Sequence, residues 1–324
     1  MRSEYVHARI DLDRVRENAE RIRSLTGKSL IAVIKADAYG LGAPRVADAI
    51  ASVADELAYF TPAEARRVGR PGLVMGPPLA PPEEFRELRL RPMIACVEDA
   101  ERFRGFDVAI NFDTGMQRFG CDVAMLARLR KLCRYVDICT HTASVEGANR
   151  LREVAGDAGA PLHAASSSLL NEPRAWLNAV RPGVALYRGA VRVTTRLVAA
   201  RETRGPIGYT GFTAPRVGVI LAGYSHGLRP APIKINGRRQ QLLEIGMNTS
   251  FVSVDPSDRV GDEVVLLGNG ITEAELAAAL GVREHEVLCR YCGMSRRRYG
   301  LRRSRIKPVS ADTSPAPVSV PHQT

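Results

Sequence analysis

Between Ser29 and Tyr187 short apolar runs alternate with amphipathic stretches, and this alternation constrains the fold more than any other property of the chain. Such alternation is the pattern of βα units on a parallel sheet, whose strands are covered on both faces. Strands are predicted near 30 to 35, 57 to 60, 72 to 76, 92 to 96, 107 to 112, 136 to 141, 161 to 167 and 180 to 186. Eight of them suggest an α/β fold closed as a (β/α)8 TIM-like barrel, although about 21 residues per unit is tighter than the usual ~250 for the whole fold. Some helices, such as that in Pro81-Pro-Glu-Glu-Phe-Arg-Glu-Leu88, must then be short.

Beyond Tyr187 the texture changes. The runs Val191–Val198, Arg216–Ala222, Gln241–Ile245 and Glu263–Gly268 are separated by Gly- and Pro-bearing turns rather than helices, which reads as a mainly β C-terminal domain. One helix is expected from Thr272 to Gly281, with Thr272 and Glu275 as a capping box and Gly281 as its stop. The predicted divisions are a barrel over 13 to 190, a β domain over 191 to 300, and a disordered basic, Pro- and Ser-rich tail over 301 to 324.

A chain of 324 residues with 45% apolar and 25% charged residues reads as an ordinary soluble protein of two domains. Neither a signal peptide nor a membrane-spanning run is legible, so a cytoplasmic location and no membrane partner are expected. The formal charge is +11, and seven of the twelve residues from Arg296 to Lys307 are basic. That cluster lacks interleaved aromatics beyond Tyr299, so a solvated tail is favoured over a nucleic-acid partner. The six cysteines read as reduced thiols, and Cys289-Arg-Tyr-Cys292 has no second pair to complete a zinc site; no metal is expected.

Lys35 closes the apolar run that begins at Ser29 and is followed by the glycine-rich turn Ala-Asp-Ala-Tyr39-Gly-Leu-Gly42. A lysine so placed either snorkels to solvent or lies buried, where its amine loses its proton readily and becomes a nucleophile. Gly40-Leu-Gly42 alone is a poor dinucleotide signal, since the third glycine and the downstream acid are absent.

Ala32-Val-Ile-Lys35-Ala-Asp-Ala-Tyr39-Gly-Leu-Gly42 and Ile110-Asn-Phe-Asp-Thr-Gly-Met-Gln-Arg118-Phe-Gly120 closely resemble two motifs of the alanine racemase family, fold type III pyridoxal-phosphate enzymes. Further matches follow in family order at Thr140-His141, His163–Ser167, Val180–Tyr187, Gly223–Gly227, Gly246-Met247 and Arg296–Tyr299. The resemblance runs from about residue 8 to about residue 300. It implies an isomerase that interconverts L- and D-alanine, a cell-wall precursor, as a homodimer with shared active sites. It also implies that a strand in residues 1 to 12 packs with the β domain.

Carried over residue by residue, the resemblance makes Lys35 the lysine that holds pyridoxal 5'-phosphate and one of two bases, with Tyr224 of the partner subunit as the other. His141 and Arg181 would bias Tyr224 through hydrogen bonds, and Arg181 would face the cofactor's ring nitrogen. The phosphate would lie against Tyr39, Ser167, Gly183, Val184 and Tyr299, Arg118 and His141 would also bind the cofactor, Arg118 at its phenolate oxygen, and the substrate carboxylate would meet Arg118 and the partner's Met247. Four positions depart from the family. Asn111 replaces a lysine and resembles the variant in which chloride sits near Asn111 and Arg118, while His226 and Asn248 replace aspartates and Ser166 replaces an asparagine. These departures leave alanine specificity open. The alternatives are a serine or broad-specificity racemase, a related decarboxylase or aldolase, and a non-enzymatic carrier of the cofactor.

Overall fold

The computed structural model describes residues 2–300, and strands are numbered here along the chain. After β1 (His7–Asp11) come eight barrel strands: β2 (Ser29–Val33), β3 (Glu56–Tyr59), β4 (Gly72–Val74), β5 (Leu90–Ile94), β6 (Asp107–Asn111), β7 (Arg134–Cys139), β8 (Leu162–Ser166) and β9 (Ala179–Arg181). Each pairs in parallel with the next, and β2 closes on β9 through Ser29↔Ala179 and Leu30↔Val180. Every barrel strand overlaps its predicted range. The largest difference is at β9, which stops at Arg181 because Pro182 and Gly183 follow.

Side chains of a strand alternate between faces, so each barrel strand supplies two cores. Ile31, Val33, Ala58, Leu73, Met93, Ala109, Cys139 and Ala179 fill the barrel interior. Their neighbours Leu30, Ala32 and Ile34 join the larger core beneath the helices. The first helix, Leu12–Thr26, shows how the shell is held: Val15, Ala19 and Ile22 recur on one buried face, Asp11 caps its start and Gly27 ends it in the left-handed region. Each fully buried Val or Ile there contributes about 1.5–3 kcal/mol. Pro82–Glu87 is short, as its segment length requires.

The remaining strands are β10 (Val191–Glu202), β11 (Arg216–Ile220), β12 (Pro232–Ile235), β13 (Arg238–Ile245), β14 (Ser250–Ser253), β15 (Glu263–Leu267) and β16 (Arg296–Gly300). They lie in the order β11-β14-β13-β12-β15-β10-β1-β16, and β10 also pairs with β11, so the sheet curls back on itself. β1 runs antiparallel to β10 and parallel to β16, which places the first and last described strands together in this second sheet. β12, β14 and β16 were not predicted; Arg-Arg-Arg-Tyr-Gly in β16 has no apolar alternation to reveal a strand.

Two corrections concern the helices of this domain. Thr272 does cap Glu273–Leu280 by accepting the Glu275 N–H at 3.1 Å, but the Glu275 carboxylate pairs with Arg239 instead of reaching back to complete a box. A second helix, Glu284–Gly293, follows where none was expected. Arg296 to Arg298, read as the start of a basic cluster, are strand residues, and the predicted tail over 301 to 324 lies outside the described residues. Among the described residues, no helix is long and apolar enough to cross a membrane.

Candidate active site

Lys35 does not end strand β2. The strand stops at Val33, and Lys35 opens a turn in which Ala36, Asp37, Ala38 and Tyr39 take φ of 53°, 56°, 54° and 56°. Non-glycine residues in this left-handed region cost roughly 1–2 kcal/mol each, so the turn persists only because tertiary contacts hold it. Those contacts come from several elements. Glu64 accepts the Ala36 N–H at 2.9 Å, and Asp37 accepts the Ala43 N–H at 2.8 Å. Arg297 of β16 donates to Asp37 at 2.5 Å and to the Gly40 carbonyl at 3.2 Å, and the Tyr299 hydroxyl donates to the Leu41 carbonyl at 2.9 Å.

The Lys35 amine is held below the ordinary lysine range by burial first and by Arg118 next, with a smaller push from Arg181; Glu64 and Cys289 oppose them. A partly desolvated lysine beside cations is a neutral nucleophile in waiting. Around it the barrel's C-terminal ends gather Tyr39, the loop after β6, His141 after β7, Ser167 after β8, and Arg181 in β9. Active sites of this fold gather at that rim.

One side of the rim forms an anion cradle. Ser167 Oγ accepts the N–H groups of Gly183 and Ala185 at 2.9 and 3.1 Å. A Cβ at Gly183 would fall 2.2 Å from the Tyr39 hydroxyl, so only glycine leaves the backbone bare there. Tyr39 rests on Tyr187 at 5.1 Å between ring centroids, and burial pushes its phenol up to about 12, keeping it a donor. Val184 follows in the same turn, and Tyr299 stands beside Gly42, where a Cβ would meet its hydroxyl at 2.1 Å. The Ser167 hydroxyl, which accepts two N–H groups and keeps its own proton to donate, the Tyr39 phenol and a lysine held below its usual range are groups that suit a phosphorylated aldehyde cofactor.

Beneath the rim, buried Arg181 bonds to His163 Nδ1, to the His163 carbonyl at 3.0 Å and to the Thr140 carbonyl. For Nδ1 to accept from a guanidinium the proton must sit on Nε2, which lies 3.2 Å from Asp137, off the line of an ideal hydrogen bond. Asp137 pairs with Arg91, and Arg91 pairs with Glu56 at 2.5 Å. Burial drives His163 down to about 4, with Arg181 adding to it. Asp137, though pushed up by burial, is kept below the usual carboxylate range by His163 and Arg91. The motif match includes His163 without giving it a role, and the sequence alone singles out none of Asp137, Arg91 and Glu56. The available signal is a charged or titratable residue within each of the apolar strands β3, β5, β7 and β8.

His141 shows its ring to the cleft, yet the chain packed around it and the charges of Arg181, Arg118 and Lys35 push it down to about 4. It is therefore neutral near pH 7. Arg118 is exposed on the loop after β6, stacked over the Phe119 ring at 5.2 Å. Asn111 donates to the Phe119 carbonyl at 2.8 Å, tying down the base of that loop. Ser166 bonds to Ser168 at 3.0 Å rather than to a rim group.

Tyr224 and Met247 are not brought to Lys35 within the chain. Both stand exposed on the β domain, at 49% and 57%, and are adjacent because Tyr224 N–H donates to the Gly246 carbonyl at 2.9 Å and Ser225 N–H to the Met247 carbonyl at 3.1 Å. Cys289 and Cys292 are free, on Glu284–Gly293, and no cluster of three metal-ligating side chains occurs among the described residues.

The fold defines a two-domain enzyme, a closed parallel barrel joined to a mainly β domain, with Lys35 on the turn that follows the first barrel strand. Residues 10–191 match the alanine racemase N-terminal domain and 190–299 the alanine racemase C-terminal domain. An alanine racemase of Thioalkalivibrio sulfidiphilus is 30% identical over 90% of this chain and 98% of its own length. The crystal structure of biosynthetic alanine racemase from Pseudomonas aeruginosa superposes with a TM-score of 0.82 at 26% identity, over 93% of this chain and all (100%) of that one. That of alanine racemase from Bartonella henselae with covalently bound pyridoxal phosphate has a TM-score of 0.83 at 21% identity, over 92% and 100%, and its likeness shows the fold. This chain belongs to the alanine racemase family and is an isomerase.

Proposed function

We propose that the chain is a pyridoxal-5'-phosphate-dependent racemase that interconverts L- and D-alanine, working as a homodimer. The observation that carries this reading is Lys35: a half-buried amine on a strained left-handed turn at the barrel rim, close to Arg118 and Arg181, with Tyr39 on the same turn packed against Gly183. When bound, the cofactor would delocalise the charge left at the substrate's α-carbon. Lys35 would hold it, and Tyr39, Ser167, Gly183, Val184 and Tyr299 would seat its phosphate.

Racemisation then needs a proton acceptor on one face of the α-carbon and a donor on the other. Lys35 serves one face. Tyr224 serves the other from the partner subunit, which its exposed place on the β domain supports. Arg181 cannot give up its proton at ordinary pH, so a cofactor ring nitrogen facing it would stay unprotonated and draw less charge from the α-carbon, which would then take a proton back sooner from Lys35 or Tyr224. Neutral His141 beside Arg181 can accept a hydrogen bond from the tyrosine. Arg118 and the Met247 amide would take the substrate carboxylate, and a chloride near Asn111 and Arg118 would supply the negative charge that Asn111 lacks. The test is whether purified protein carries a visible cofactor band and converts either alanine enantiomer into the racemate. Lys35→Ala should abolish both.

A further inference from the structure

The geometry points to His226 as the positioning residue for Tyr224: its neutral imidazole is the acceptor that closes the turn on which the phenol rides. This rests on the reading of Tyr224 as the second base. Tyr224, Ser225 and His226 form one turn of 3-10 helix after Gly223. His226 N–H donates to the Gly223 carbonyl at 3.1 Å, while Gly223 N–H donates back to His226 Nδ1 at 3.2 Å. Gly223 presses against the next strand connection so closely that a Cβ there would lie 2.3 Å from both the Gly246 and Met247 carbonyls. No other side chain could be built at 223 to satisfy that N–H, so its acceptor comes from three residues on.

The rest of the turn is already tied. Tyr224 and Ser225 donate to the Gly246 and Met247 carbonyls, and the Ser225 hydroxyl bonds to Asn248 at 2.8 Å. Gly227, at φ 97°, donates to the Tyr224 carbonyl at 3.0 Å. Among the described residues, the Tyr224 hydroxyl has no partner within the chain, so its position follows from this backbone. The charged group that the neighbouring helix brings to the turn is Arg290, which donates to the Gly227 carbonyl at 3.3 Å and pairs with Glu286 at 2.8 Å; Arg229 follows the turn in sequence.

An imidazole accepts at Nδ1 only while neutral; once protonated both ring nitrogens donate and the two N–H groups face each other. Burial lowers His226 from its ordinary value of 6.5. The closure is therefore present at neutral pH and lost as pH falls below that value. An asparagine at this position offers an oxygen at all pH values, and an alanine offers none.

The test uses the full-length, cofactor-loaded dimer. Exchange of the α-proton for deuterium is followed from each alanine enantiomer against pH in wild type, His226→Asn, His226→Ala and Tyr224→Phe, with the visible band reporting intact cofactor sites. His226→Ala should lower kcat about tenfold for the enantiomer that Tyr224→Phe impairs more, the size expected of a lost cap, while KM stays near wild type. His226→Asn should keep the rate near neutrality and lose part of the wild-type decline at acid pH. If His226→Ala matches wild type in rate and pH profile while Tyr224→Phe is impaired, the positioning role is wrong. Should Tyr224→Phe itself exchange both enantiomers normally, the two-base reading fails and the role of His226 with it.

Discussion

Arg297, in the last described strand, donates to the Asp37 carboxylate at 2.5 Å although 260 positions separate them. The contact fastens the β domain to the left-handed turn that carries Lys35, within one chain. A strained turn of alanines persists because a guanidinium from the far end of the sequence holds it, and the same strand brings Tyr299 to the Leu41 carbonyl.

Replacing Arg297 with methionine should keep the stem and remove the charge-assisted bond, costing about 1.5–3 kcal/mol. Denaturant unfolding measures this, and cofactor release should accelerate because the lysine's turn loosens. An unchanged midpoint and unchanged retention would show that the turn is held by other contacts.

Ala36 has no need of its side chain, being exposed, but its φ of 53° penalises a Cβ. Ala36→Gly should therefore raise stability or leave it level, by up to about 1 kcal/mol after the extra unfolded-state entropy of glycine is counted. Thermal unfolding checks the sign. A clear loss would mean that the turn is not strained at this residue.

Gly183→Ala makes the opposite case. Its Cβ would fall 2.2 Å from the Tyr39 hydroxyl, at the anion cradle. Titrating cofactor-free protein with pyridoxal 5'-phosphate should show affinity reduced by about tenfold or more, the equivalent of 1.4 kcal/mol. Wild-type affinity in this variant would place the phosphate elsewhere.

Acid should destabilise the barrel in two windows. His163, held down to about 4, is neutral in the folded chain, so its contribution is full above the ordinary value of 6.5 and is lost as pH falls towards about 4. Each unit of that window corresponds to at most about 1.4 kcal/mol. Asp137, held below its ordinary 3.8, contributes above that value and loses its contribution at lower pH. Unfolding midpoints at pH 7 and pH 5 should differ, and His163→Gln, whose amide can still accept from Arg181 and donate to Asp137, should shrink the difference. An equal difference in the variant would assign the acid sensitivity to other groups.

How far the sequence could be read depended on whether a signal was local. Barrel strands were legible because apolar runs such as Leu30–Ile34 and Val108–Ile110 are buried on both faces. Lys35 and its companions are expected from motifs alone, and the structure places Lys35, His141 and Ser167 shortly after, and Arg181 at the end of, barrel strands that the periodicity also predicts. The left-handed turn was hidden: of Ala36, Asp37 and Ala38 only the aspartate is a residue type found at positive φ, and the cause of the turn lies in Arg297 and Glu64, distant in the chain. β16 was hidden because its pairing with β1, not its composition, makes it a strand. The Glu56–Arg91–Asp137–His163 chain was missed because each member alone reads as an ordinary charge.

Deuterium exchange at the α-carbon of alanine, starting separately from the pure L and D forms, probes the reaction most directly. Cofactor-loaded wild type should exchange both and approach the racemate, and Lys35→Ala should be colourless and inert. Tyr224→Phe should stay coloured and exchange one enantiomer far more slowly than the other. A coloured wild type that exchanged neither enantiomer would contradict the racemase assignment, and a Lys35→Ala variant that kept both its band and its exchange would remove Lys35 from the site.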